Sequence, residues 1–307
     1  MDNKTFLFFD CECANCYEGV GKICSFGYVL TDSEFNIIES EDVIINPETE
    51  FDWYLLSPKN SCHLAYSKDY FRIKPNFASY YKGIKKLLTT GDRYIAGFSV
   101  GNDIGFVNSA CERYSLPYIQ FRAIDLENLL NREFGCKKKL SEWIEFMKYD
   151  TSDLQTHKSV DDAKMTMYCL KYLAENKGKS GEEIIKENED LFISNEQIIK
   201  LAEERKYKKE VLEKIKKLYG KKKPQVQKNI FNGTKFEIDG KFLRKVDDAY
   251  EIVKLIYDYG GIISEHISNK GYVVFENENV PEGLKTKIQK RGLELISIDC
   301  VKSKCSC

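Results

Sequence analysis

The chain has 307 residues, room for two domains, and its 42% hydrophobic and 13% aromatic content excludes wholesale disorder. Its 47 basic and 48 acidic residues nearly cancel, so overall charge marks no nucleic-acid partner and any basic surface has to be local. No apolar run reaches the roughly 18 residues of a membrane span, and the first residues enter a strand with no basic or cleavable leader. The expectation is a soluble, cytoplasmic protein with no membrane partner.

Phe6-Leu7-Phe8-Phe9 predicts a strand buried on both faces, running into Asp10 and Glu12. Alternation along a strand puts these two carboxylates on the same side, where like charges repel and resist desolvation. A divalent cation relieves that repulsion, and hard cations prefer oxygen ligands. The plain alternative is a strand ending in a solvated acidic loop. Ala14 to Gly21 reads as a loop, Ile23 to Leu30 as a strand, and Asn36 to Ile45 as a third strand closing at Asn46-Pro47. Short turns between them predict an antiparallel meander.

Glu48 to Pro75 is irregular and rich in aromatics, which are candidates for stacking on a nucleic-acid base. Helical spacing marks Phe77 to Leu88, and Arg93 to Phe98 reads as a strand. A helix follows from about Asp103 to Tyr114, then a short strand Phe121 to Ile124 and a helix Leu126 to Phe134 stopped by Gly135. Leu140 to Met147 and Val160 to Ala174 complete a first domain over 1–175. Meander strands followed by alternating helix and strand imply a mixed sheet flanked by helices.

Residues 176–228 change character: lysine and glutamate dominate, and Lys200 to Lys223 is distinctly basic. They read as a basic helical linker, either touching phosphates or simply solvated. Residues 229–307 regain globular character. Phe236 to Ile238, Tyr272 to Phe275 and Leu295 to Ile298 read as parallel strands, joined by helices Val246 to Tyr259 and Gly283 to Arg291.

The 11 cysteines, with no secretory leader, predict reduced thiols rather than a disulfide framework. Cys11, Cys13, Cys16 and Cys24 cluster without paired Cys-x-x-Cys spacing, so structural zinc is a rival reading. The tail Cys305-Ser306-Cys307 is expected to fray.

Two further places bear on chemistry. Asp103 follows a strand and a glycine turn at a helix start, where it also suits an N-cap. His157, one of only three histidines, precedes Asp162 by five residues at the head of a helix. Asp161 rivals Asp162, and a lone loop histidine often just faces solvent. Drawn together, Asp10, Glu12, Asp103 and Asp162 with His157 would give a site for two cations and a base, suited to phosphodiester hydrolysis.

These residues, in this order and spacing, resemble the DEDDh 3′→5′ exonucleases, which include the epsilon subunit of bacterial DNA polymerase III. The resemblance covers about the first 175 residues. It implies a ribonuclease H-like fold, with Asp10, Glu12, Asp103 and Asp162 as ligands of two divalent cations, Mg²⁺ or Mn²⁺. It also implies His157 as the general base, and its His-x-x-x-x-Asp spacing selects Asp162 over Asp161. Cys11 and Cys13 depart from the small, aliphatic or threonine residues of many relatives, which points to sensitivity to oxidation.

Residues 229–307 resemble a BRCT domain through Phe236-Glu237-Ile238-Asp239-Gly240, Gly260-Gly261, Gly271-Tyr272-Val273-Val274, Lys285 and Gly292. The resemblance implies docking to DNA or protein. The expected function is removal of nucleotides from nucleic-acid 3′ ends, single-stranded DNA before RNA, in proofreading or repair. RNA trimming and a non-catalytic adaptor on a nuclease fold are the rivals.

Overall fold

In the computed structural model residues 4–17, 20–226, 228–277 and 279–306 are described. They fall into two compact units that divide between Leu201 and Ala202. In the first, β1 (Thr5–Tyr17), β2 (Val20–Thr31) and β3 (Ile37–Ile44) form the expected antiparallel meander. Helices α1 (Lys68–Arg72) and α2 (Phe77–Thr89) follow. β4 (Arg93–Gly97) and β5 (Arg122–Asp125) then add parallel to β1 and to each other. Helix α3 (Gly101–Arg113) joins those two strands, and α4 (Leu126–Phe134), α5 (Leu140–Met147) and α6 (Ser159–Lys177) come after them. The result is a mixed six-stranded sheet, β3-β2-β1-β4-β5-β6, flanked by helices.

β1 lies at the centre because Phe6 to Phe9 bury completely, alternating between two cores. Phe6 and Phe8 join the helices α4 to α6, while Leu7, Phe9 and Cys11 face α2 and α3. Asp10 and Glu12 continue the Phe6 and Phe8 row beyond the core. The strand does not stop at Glu12. It pairs on with β2 through Cys13, Cys16 and Tyr17, with register shifts after Glu12 and after Cys13. The loop expected over Ala14 to Gly21 is thus largely strand, held by backbone pairing rather than apolar alternation; its Glu18 and Gly19 lie outside the described residues.

The aromatic stretch before α1 builds a small core of its own. Phe51, Leu55, Leu64 and Phe71 bury against Ala14, Cys24 and Ile44, so Phe51 and Phe71 are unavailable for stacking on a base, while Trp53 is 81% exposed.

The linker expected over 176–228 is not a separate element. Helix α7 (Gly181–Glu187) buries Ile184 and Ile185 in the first core, and β6 (Phe192–Ser194) pairs antiparallel with β5. The first unit therefore reaches Leu201 rather than residue 175. Helix α8 (Asn195–Lys216) places Ile198 against the core of Leu7 and Phe9, and Val211 and Ile215 are buried in the second unit. A few apolar residues among many lysines suffice to anchor such segments, which composition alone conceals.

The second unit comprises β7 (Lys235–Ile238), α9 (Val246–Asp258), β8 (Ile262–Ile263), β9 (Tyr272–Phe275), α10 (Glu282–Lys290), β10 (Glu294–Ser297) and α11 (Ile298–Ser306). All four strands run parallel in the order β10-β9-β7-β8. The sequence pattern missed β8, only two residues long, and α11, whose Val301 and Cys305 bury against α9. That burial corrects the frayed tail for Cys305; Cys307 lies outside the described residues. None of the described helices is long and apolar enough to cross a membrane.

Helix α6 meets the sheet at one glycine. A Cβ on Gly27 would stand 2.0 Å from the Val160 nitrogen and 2.1 Å from the Ser159 carbonyl carbon, and beside it the Ser25 and Ser159 hydroxyls share a hydrogen bond. Gly27→Ala should destabilise the protein by about 3 kcal/mol, the upper range for overpacking, because only backbone movement relieves the clash. Urea unfolding followed by circular dichroism measures this, and a loss below about 1 kcal/mol would show that α6 yields freely.

Candidate active site

Along the middle of β1, beyond the buried Phe6 to Phe9 run, the chain gathers the five residues singled out from sequence. The ligand atoms of Glu12, His157 and Asp162 all lie within 4.8 Å of one another, the one such group among the described residues. Asp10 opens into the same cleft, of about 790 Å³. Asp103 arrives from the opposite face of the sheet, in the first turn of α3, and its Oδ1 accepts the Cys11 backbone N–H at 2.9 Å. It does not cap that helix, whose N-cap position is Val100.

α6 separates the two rival aspartates. Asp162 accepts the backbone N–H of His157 through Oδ2 at 2.9 Å, inside the cluster. Asp161 turns the other way, accepting the Gln155 N–H at 3.0 Å and pairing with the Lys158 ammonium at 3.1 Å. His157 has a left-handed backbone (φ +61), unusual for a residue with a side chain. Its N–H is held by Asp162 and its carbonyl accepts the Ala65 N–H at 3.3 Å. Such a position persists only when its surroundings fix it, which is common at functional sites.

Burial raises the carboxylates. Desolvation, then the charges of Asp103, Asp162 and Glu12, pushes Asp10 well above the usual range, and its Oδ2 is buried with no hydrogen-bond donor. Desolvation raises Asp103 too, against the pull of the Cys11 N–H. Asp162 rises to about 7 from desolvation and the nearby Glu12. The imidazole responds in the opposite charge sense: His157 Nδ1 lies 3.2 Å from Glu12 Oε1, and that contact lifts it to about 9. The histidine thus serves as an internal counter-ion to the cluster.

The cysteines correct another expectation. Burial holds the Cys11 thiol far above its ordinary value and Cys13 at about 12, so neither supplies the thiolate that oxidation needs. None of the cysteines in the described residues is in a disulfide, and no group of them is close enough to hold a metal. The zinc reading loses its basis.

Sequence reasoning passed over several residues that line the cleft: Ser61, Cys62, Phe98, Ser99 and Lys137 to Lys139. Three consecutive lysines were visible as a run, but nothing in the sequence placed that run beside the acids. A second groove, of about 360 Å³ lined by Tyr28, Glu39, Glu41 and Arg93, contains none of the five residues.

No curated protein matches the sequence. Solved structures similar to the chain include E. coli exonuclease I in complex with a dA16 oligonucleotide, at 18% identity and TM-score 0.48, over 57% of this chain and 42% of that one. The chain thus spans about two-fifths of exonuclease I. The nuclease domain of 3′hExo, a DEDDh family member bound to rAMP, matches at 19% identity and TM-score 0.48, over 57% and 92%. A 3′-exonuclease described in 3′-end specific recognition of a histone mRNA stem-loop matches at 17% identity and TM-score 0.48, over 58% and 84%. The model of the exonuclease family known as RNase_T matches residues 7–170, more than half of the sequence and all five clustered residues. The chain belongs to that exonuclease family.

Proposed function

We propose that the protein is a divalent-cation-dependent 3′→5′ exonuclease that hydrolyses terminal phosphodiester bonds of nucleic acids, single-stranded DNA before RNA. The observation that carries this reading is the meeting of Asp10, Glu12, Asp103 and Asp162 beside His157 around the middle of β1. The set fits hard cations: its acidic donors are all oxygen, and the buried, donor-less Asp10 Oδ2 is the kind of lone pair that a cation satisfies. On this reading the four carboxylates hold two cations, Mg²⁺ or Mn²⁺. Bound there, such cations would neutralise the phosphodiester, acidify a water molecule and offset charge on the leaving 3′ oxygen.

His157 is the general base. Glu12 holds its ring in the metal-free chain; with Glu12 given over to a cation, the imidazole would be free to accept the proton of the attacking water. The water oxygen forms the new bond to phosphorus and the bond to the 3′ oxygen breaks. Asp103, through the Cys11 N–H, also holds the stretch of β1 on which Asp10 and Glu12 stand.

For residues 229–307 the reading remains a BRCT-like module docking DNA or protein, supported by four parallel strands with helices on both faces. Lys285 is paired with Glu282 at 2.8 Å, and Asp239-Gly240-Lys241 after β7 offers no hydroxyl, so phosphopeptide recognition is not part of the proposal. The association of such modules with repair and replication is what favours DNA.

Single-turnover assays with Mn²⁺ on 3′- and 5′-labelled strands of both sugars should show mononucleotides leaving the 3′ end, faster from DNA. Cleavage of a covalently closed circle would sink the proposal. His157→Ala should slow turnover by about 10²- to 10⁴-fold with folding intact, and Asp10→Asn should abolish it.

Without added metal, stability should fall as pH rises. Asp162, at about 7 in the folded protein against 3.8 ordinarily, makes the folded state bind more protons between those values. His157, at about 9 against 6.5, acts in the same direction at higher pH. Asp10→Asn should stabilise the metal-free protein by about 1.4 kcal/mol for each unit by which Asp10 is raised, and Mn²⁺ should stabilise the wild type most at alkaline pH. Thermal melts in chelator and in Mn²⁺ read both effects, and a flat profile in chelator would contradict the burial argument.

A further inference from the structure

The residues lining the cleft are of both charge signs. Beside the acids, the only permanent cations among the described lining residues are Lys137, Lys138 and Lys139. They form the link between α4, stopped by Gly135 in the left-handed conformation (φ +65), and α5. The Lys139 N–H donates to Glu142 Oε2 at 2.8 Å, and the Lys138 ammonium lies 5.8 Å from the centre of the Trp143 ring. Three cations elsewhere on the same layer are neutralised: Arg132 pairs with Asp190, Lys177 with Glu133 and Lys179 with Glu187. Among the described residues the three cleft lysines are in no such ion pair.

A polynucleotide has a negative charge at every residue, and a cleft built around carboxylates repels all of them except where cations sit. Unpaired ammonium groups are point-charge phosphate binders, which tolerate any base and either sugar. We propose that Lys137 to Lys139 form a phosphate-binding wall for the backbone of a single-stranded polynucleotide, on the 5′ side of the bond being cut. The direction of the strand rests on the exonuclease reading; the wall itself does not. It makes the cleft a site for a chain of phosphates rather than for a lone nucleotide, and it supplies the local basic surface that a net charge of −1 conceals.

The test is binding by the full chain carrying Asp10→Asn, in Ca²⁺ buffer, to fluorescein-labelled thymidine and uridine dodecamers, followed by anisotropy across about 50 to 200 mM salt. Adding K137Q, K138Q and K139Q together should weaken binding about tenfold in that range. The slope of log K against log salt should drop by about 2, from about 0.7 per phosphate contact on a single strand, equally for both polymers. If the triple variant unfolds, the single variants serve, each lowering the slope by about 0.7. An unchanged slope, a loss confined to one sugar, or no binding by the parent chain overturns the wall. A lysine-dependent slope in a chain whose wild type releases no nucleotide with Mn²⁺ leaves the wall standing and removes the exonuclease reading instead.

Discussion

Mutual repulsion among closely grouped, largely desolvated carboxylates is the constraint around which the first unit is built. Asp10, Asp103 and Asp162 are each raised first by desolvation and then by one another or by Glu12. A folded chain keeps such groups only where something offsets the cost. Part of the offset is internal: the Cys11 N–H on Asp103, the His157 N–H on Asp162 and the imidazole on Glu12. The donor-less oxygen of Asp10 is what remains unsatisfied.

The fold converges on this point from both faces of one strand. Asp10 and Glu12 extend the row of Phe6 and Phe8, so the packing that buries those rings aims the carboxylates. Asp103 comes around from the other face, where α3 packs on Leu7 and Phe9. Asp162 and His157 are brought in by α6, whose first turn rests on the bare backbone of Gly27. A side chain at that one position would lift the helix end and with it two members of the cluster.

Charge in the cleft is segregated. The acids sit in mid-strand and at helix starts, while the lysines stand on the link between α4 and α5, their ammonium groups in no ion pair. Carboxylate oxygens suit hard ions; ammonium groups suit the phosphates of a polymer.

Much of this was legible in the sequence, for a physical reason. The run Phe6 to Phe9 dictates a central strand, period-two alternation puts Asp10 and Glu12 on one side, and helical spacing locates Asp103 and His157 with Asp162 at helix heads. Those are local properties, and the chain states them locally. For the two adjacent aspartates the resemblance's spacing named Asp162, but only the tertiary structure supplied the physical reason: Asp162 holds the His157 N–H inside the cluster, while Asp161 faces Gln155 and Lys158. The tertiary structure alone decided that β6 and α7 belong to the first unit, because strand pairing and a few buried isoleucines outweigh a polar composition. The lysine link was plain as a sequence yet silent as a site: its meaning depends on the acids it faces, and that proximity exists only once α4 and α5 have packed on the sheet.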